Sequence, residues 1–309
     1  MRPQVFYKYR EDSSRTGEII TKGMVWLATA EGLNDPLECR TGKIPDEWKR
    51  KSIREMENAQ MGGFVMSAMP ALKGKQSFYS LSPRATKRWF QGLKRLKTRK
   101  EKYAKIRSFL KDHGRDISRP AELFEKFENQ LSQAGIFSLS ECPDNELMWA
   151  HYASSHIGLA LGFRAVPGSK LASREHTMQV VYAKEKPTFK EGFINQVSMI
   201  TAPDGGLRSE QKIGFNDPTF RAAFSTKPPA WSYEKEWRYV EETGGSFPWP
   251  GPIATLVFGF KMPNMRRKHY ANLVLRSAPN AVEFFEIARS GDNSSFVMAP
   301  WRGSVPRRS

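Results

Sequence analysis

Cysteine is scarce in this chain. Cys39 and Cys142 are the only two among 309 residues, too few for a disulfide framework and not in the Cys-x-x-Cys spacing of redox or zinc motifs. Histidine, at five, is nearly as rare, which excludes a structural zinc site of ordinary spacing. No stretch approaches the roughly 18 consecutive apolar residues of a membrane-spanning helix. The opening Met-Arg-Pro-Gln-Val-Phe-Tyr lacks the apolar core of a signal peptide. Also missing are Gly-x-Gly-x-x-Gly, a Walker-type Gly-Lys-Ser/Thr and a Gly-x-Ser-x-Gly elbow. Their absence argues against dehydrogenases, NTPases, kinases and serine hydrolases. The expectation is a soluble, reduced, cytoplasmic protein.

Aromatics, by contrast, are well represented. They make up 12% of the chain, with 8 Trp and 20 Phe, so a substantial core can form and disorder is excluded. The length admits one large domain or two ordinary ones.

Charge is heavily one-sided: 49 Lys and Arg against 32 Asp and Glu give a net +17. Such a balance favours a polyanionic partner. The excess is concentrated. Between Arg84 and Lys111 twelve basic residues face a single acid, Glu101, so this segment carries +11 of the +17. Arg88, Lys94, Arg95, Lys97, Arg99 and Lys100 are its centre and the candidate partner-binding residues. Trp89, Leu93, Leu96, Tyr103, Ile106 and Leu110 recur at spacings of three, four or seven. This pattern predicts one amphipathic helix, punctuated by Pro83 and Gly114. Its cations suit a nucleic-acid backbone, an acidic protein partner, or a merely solvated face.

Val5–Arg10 alternates and is aromatic, so it reads as a strand, and Met24–Ala28 reads as a second. Residues 45–135 read as helical, interrupted by glycine, serine and proline around Met61–Gly74. Strands are then expected at Ile136–Ser140, Gly158–Phe163, Gln179–Tyr182, Trp237–Val240 and Ile253–Phe260. A short helix is expected over Asn145–Tyr152 with Asp144 as its N-cap, and a loop over Thr201–Glu210. Strands that flank a helical block make an α+β pattern, with the N-terminal strands pairing to those beyond the block.

Four short segments concentrate polar groups: Tyr9-Arg10, Asn34-Asp35-Pro36-Leu37-Glu38, Trp149-Ala150-His151-Tyr152 with His156 beyond it, and Trp231 to Arg238. Asn34-Asp35-Pro36 is also a good turn former. His151 and His156 are five apart, so they do not share a helix face as a metal pair at i, i+4 does. Metal binding is therefore not expected. Glu234-Lys235-Glu236 carries more weight. On an extended segment its two carboxylates point to one face, and such proximity raises one pKa, as acid–base work requires.

These segments, in order, resemble a known family. Phe-Tyr-Lys-Tyr-Arg (6–10), Trp-Leu-Ala-Thr…Leu-Asn-Asp-Pro-Leu-Glu (26–38), Phe-Ser-Leu-Ser…Asn-Glu-Leu-Met-Trp-Ala-His-Tyr-Ala…His-Ile-Gly-Leu-Ala-Leu-Gly-Phe (137–163) and Trp-Ser-Tyr-Glu-Lys-Glu-Trp-Arg (231–238) are similar to the bacterial family called domain of unknown function 2971. That family in turn looks like a divergent ADP-ribosyltransferase fold. The resemblance implies NAD as a substrate, with Arg10 on the first strand holding its phosphate or ribose. Tyr152 or Trp149 would be the stacking aromatic, Glu236 the late catalytic carboxylate, and Glu234 the acid that engages the acceptor. Tyr9, Asn34, Asp35, His151 and His156 complete the implied cofactor-binding set. Ser138-Leu139-Ser140 only loosely echoes the family's Ser-Thr-Ser.

The chain is accordingly expected to be one α+β domain over 1–309, with a mixed or antiparallel split sheet, a basic helical insertion at about 45–135 and a basic tail at 302–309. The leading function is an ADP-ribosyltransferase-like toxin, effector or phage-defence protein. It would act in the cytoplasm of its own or a target cell, on a nucleic-acid or protein acceptor. An antitoxin or immunity protein is the acidic partner this implies. Two alternatives compete: a non-enzymatic nucleic-acid-binding module built on 84–111, and a metal-independent nuclease using His151, His156 and the paired glutamates.

Overall fold

A computed structural model describes residues 4–33, 39, 44–185, 187, 195–201, 207–292 and 295–303. In chain order the elements are β1 Val5–Arg10, α1 Ser14–Lys22, β2 Met24–Leu27, α2 Asp46–Leu72, α3 Pro83–Arg95, α4 Arg99–Asp112, β3 Arg115–Asp116 and α5 Pro120–Gln133. Then follow β4 Gly135–Ser140, α6 Glu146–Tyr152, β5 Leu159–Arg164, β6 Thr177–Gln179, β7 Val181–Tyr182, β8 Asn195–Thr201 and β9 Leu207–Ile213. The last are α7 Pro218–Ser225, β10 Thr226–Lys227, β11 Glu236–Glu241, β12 Gly245–Pro248, β13 Ile253–Phe258, α8 Asn264–Ser277, β14 Glu283–Arg289 and β15 Phe296–Pro300. The class is α+β with a mixed sheet. Asn34 and Asp35 lie outside the described residues, as does most of the basic tail.

The chain divides into two compact units. The first comprises 1–41, 130–187 and 220–309, and the second 42–129 and 188–219. The first is built on an eight-stranded sheet of order β15-β14-β13-β5-β1-β4-β11-β6. All neighbours in it are antiparallel except β13 and β14. The helix α8 makes the crossover that this parallel pair needs. The N-terminal strand thus pairs with strands far along the chain, β5 over six residues and β4.

Both faces of the sheet are covered, so β5 (LALGFR) and β13 (IATLVF) are buried almost end to end rather than alternating. On one face Phe6, Leu161, Phe163 and Leu256 pack with Ile20 of α1 and Tyr270 and Val274 of α8. On the other, Tyr7, Tyr9, Ala160 and Val257 pack with Met148 and Trp149 of α6.

The second unit has its own core, in which Phe64, Ala68 and Ala71 of α2 meet Phe90 and Leu93 of α3 and Ile106, Phe109 and Leu110 of α4. Its short three-stranded sheet runs β3-β9-β8.

Several sequence expectations need correction. The stretch Met61–Gly74 interrupts the helical pattern only at its end, because α2 runs unbroken through Gly62, Gly63 and Pro70 and stops at Leu72. Interior glycines cost about 1 kcal/mol each, and burial of Phe64, Ala68 and Ala71 offsets this. The basic segment forms two helices rather than one. After α3 the backbone extends at Leu96, and Thr98 starts α4 with a reciprocal capping box to Glu101, satisfying end groups that a continuous helix would not expose. Asn145, not Asp144, caps α6, accepting from Met148 N at 3.1 Å. Leu207–Glu210 belongs to a strand paired with β8, although it was expected to be loop.

Candidate active site

The central feature of the first unit is an opening inside its sheet. The neighbours β1 and β4 share a single residue pair, Tyr7 with Ser140, so the strands part beyond it. A cleft of about 990 Å³ lies there, lined by Lys8, Arg10, His151, Tyr152, Glu234 and Glu236 among others.

The β1 wall supplies cations. Lys8 and Arg10 alternate with Tyr7 and Tyr9 and so share one face of the strand. The Lys8 ammonium reaches across the gap and donates to Ser138 O of β4 at 2.9 Å. Burial and the neighbouring Arg10 lower its pKa to about 8, although Glu236 and Glu234 oppose the shift. Arg10 is also depressed by burial, and its Nε is buried without a hydrogen-bond partner. Neither side chain makes an ion pair among the described residues. Gly158 lets the chain approach this strand end closely, since a Cβ there would sit 2.1 Å from Arg10 O.

The opposite wall holds the two glutamates, and the route to their pairing differs from that expected. Glu234 closes a 3-10 turn over Pro229–Glu234, Lys235 is left-handed at φ 42°, and Glu236 opens β11. The segment is therefore bent, not extended. A common cation brings the carboxylates together: Lys227 Nζ of β10 donates to Glu234 Oε2 at 2.6 Å and to Glu236 Oε2 at 3.0 Å. Arg238, fully buried, donates from Nε to Glu236 Oε1 at 2.8 Å, from Nη2 to Glu236 Oε2 at 3.2 Å, and from Nη1 to Phe224 O at 2.7 Å. Tyr152 OH donates to Glu234 Oε1 at 2.5 Å, and Ser140 Oγ holds the Glu234 carbonyl at 2.7 Å.

These surroundings drive the two carboxyls apart. Burial alone would raise Glu236, but Arg238 and then Lys227 outweigh it and hold the pKa down at about 2. Burial raises Glu234, against the opposing hydrogen bonds of Lys227 and Tyr152. Two environments thus produce one carboxylate that stays ionised and one suited to proton transfer. Lys227, Arg238, Glu234 and Glu236 together are electrically neutral. Lys8 and Arg10 are not neutralised, so the cleft favours an anion on its β1 side.

Not every candidate reaches the cleft. Trp149 is fully buried in the core with its Nε1 donating to Pro143 O at 2.8 Å, which leaves Tyr152 as the accessible aromatic of the two. Tyr9 lines the cleft, but its hydroxyl is engaged by Cys142 O at 2.6 Å. His151 is exposed on the cleft. His156 is not part of its lining; it packs on Phe296 at 5.2 Å after two further left-handed residues, Ser154 and Ser155. The nuclease constellation is therefore not assembled. No cluster of potential metal ligands occurs among the described residues.

Lys8, Lys227 and Arg238 join the site without being among the catalytic or binding residues expected from the sequence. Arg238 was discernible as Glu236-x-Arg238 on one strand face. Lys8 carried the same alternation with Arg10, whereas Lys227 gave no local signal.

An α+β unit with a polar cleft opened within a mixed sheet is the class defined by this geometry. The family described as protein of unknown function (DUF2971) matches the chain over residues 148–239, which carry α6 from Met148 onward, Lys227, both glutamates and Arg238. The family reading made from the sequence holds over that stretch. No curated protein and no solved structure matches the chain. No helix among the described residues is long and apolar enough to cross a membrane.

Proposed function

We propose that this chain is an ADP-ribosyltransferase-like enzyme that consumes NAD and acts as a toxin, effector or phage-defence protein on a nucleic-acid or protein acceptor. One observation carries the reading: Arg10, Tyr152, Glu234 and Glu236, drawn from separated segments, line a single cleft. Lys8 and Arg10 offer uncompensated positive charge to a diphosphate, and the Tyr152 ring offers a surface to a planar base.

In the reaction the C–N glycosidic bond breaks and nicotinamide leaves with the electron pair. A cationic sugar remains. Glu236, held ionised by Arg238 and Lys227, stabilises that cation electrostatically. The acceptor's nucleophilic atom then bonds to the sugar carbon, and its proton passes to Glu234, whose raised pKa suits the task.

The test compares nicotinamide release from NAD by wild type and Glu236→Gln, with melting temperature as a folding control. A loss of about 10²–10³-fold in the variant is expected, the scale for removing one preorganised electrostatic group. No release by wild type with any acceptor, or equal release by both proteins, would sink the proposal.

A further inference from the structure

We infer that the outer face of α3 and α4 docks the phosphate backbone of a double-stranded nucleic acid, without reading its sequence. The inference rests on the second unit alone and does not depend on the NAD chemistry.

The aromatic residues interleaved with the cations are already engaged. Phe90 and Phe109 are buried in the core of the unit. Trp89 packs against Phe109 at 4.7 Å and Phe64 at 5.6 Å, and the buried Tyr103 donates to Gln60 Oε1 at 2.5 Å. Among the described residues of α3 and α4 no aromatic ring is fully exposed as the stacking platform that single-strand binders require. The surface therefore offers charge alone.

That charge is unusually free. Lys87, Arg88, Lys94, Arg95, Lys97 and Lys100 are all exposed, and none forms an ion pair among the described residues. The pairs in this stretch are Arg99 with Glu57 and Arg107 with Asp116. Its single acid offsets only one of the twelve cations and is held at the start of α4, where Glu101 Oε2 accepts from the backbone of Lys97 and Thr98, each at 3.1 Å.

The arrangement is ordered too. At 3.6 residues per turn, Arg84, Lys87, Arg88, Lys94 and Arg95 fall on one face of α3, opposite the buried Thr86, Phe90 and Leu93. The stripe is about 16 Å long at 1.5 Å per residue. A duplex presents one phosphate per ~1.7 Å of axis, enough to meet every cation in it. An ordinary solvated face would intersperse acids among them.

Fluorescence anisotropy on the full chain with a mixed-sequence DNA duplex of roughly 25 base pairs tests this. Contact with about five phosphates predicts a slope near −4.5 for log affinity against log salt, a fall of several hundred-fold from 50 to 200 mM. The quadruple variant Lys87→Gln/Arg88→Gln/Lys94→Gln/Arg95→Gln should flatten the slope by about 3 to 4 with its melting temperature retained. Four results would overturn the inference: no duplex binding at 50 mM salt, a slope unchanged in the variant, tighter binding of single strands of equal length, or equal binding of poly-glutamate. The assay contains no NAD, so its failure and that of the transferase reading are separable.

Discussion

Arg238 and Arg95 are the same residue type in two settings. Arg238 is 0% exposed and locked onto Glu236 and the Phe224 carbonyl. Arg95 is exposed and has no ion pair among the described residues. The contrast extends to their units. In the sheet unit, the cations beside the glutamates are buried and individually balanced, because an uncompensated charge in a low-dielectric interior is costly. On the helical unit, water solvates each cation, so like charges accumulate at little expense to folding. The same residue types therefore serve a preorganised site in one place and a long-range field in the other.

The sharpest way to break the comparison is to remove one buried cation. Arg238→Met leaves Glu236 buried beside Lys227 alone, and a loss of about 3–5 kcal/mol is expected in chemical denaturation. Acid comes next. Glu236 has a folded-state pKa below its unfolded value, so the stability it contributes is present above about pH 4.5 and disappears as pH falls towards about 2. Glu236→Gln should flatten that limb of the stability–pH curve, and an unchanged limb would reassign the acid sensitivity to other groups. On the helical unit, Thr98→Ala removes the capping box and should cost about 1 kcal/mol. Lys94→Gln, at an exposed side chain with no ion pair among the described residues, should stay within about 0.5 kcal/mol.

Much of the fold was legible from local pattern: alternation marked β1, and short apolar runs bounded by turn residues marked the strands buried on both faces, β5 and β13. β1 was readable to the residue, and the pairing of the first strand across the helical block follows from the block itself burying its own stripe. Failures occurred where tertiary packing overrode local preference. α2 continues through two glycines and a proline because its core contacts compensate, and one expected helix became two because Thr98 and Glu101 form a cap. The site was half readable. The glutamates stood out by spacing, but their geometry depends on Lys227, a residue of a two-residue strand whose partner β7 lies some 45 residues earlier in the chain. Trp149 seemed as available as Tyr152, since only the packing of α6 distinguishes the inward ring from the outward one.

The parting of β1 from β4 has a consequence for the backbone itself. A sheet ordinarily leaves ladder donors and acceptors unpaired only at its rims, where they invite adventitious strands. Here part of such a rim lies at the centre of eight strands, with Lys8 spanning it to the Ser138 carbonyl. The cleft that opens there is flanked on both sides by paired strands, β5 beside β1 and β11 beside β4. The interruption therefore lies inside the sheet rather than on an exposed edge strand, the place where unpaired ladder groups recruit other chains.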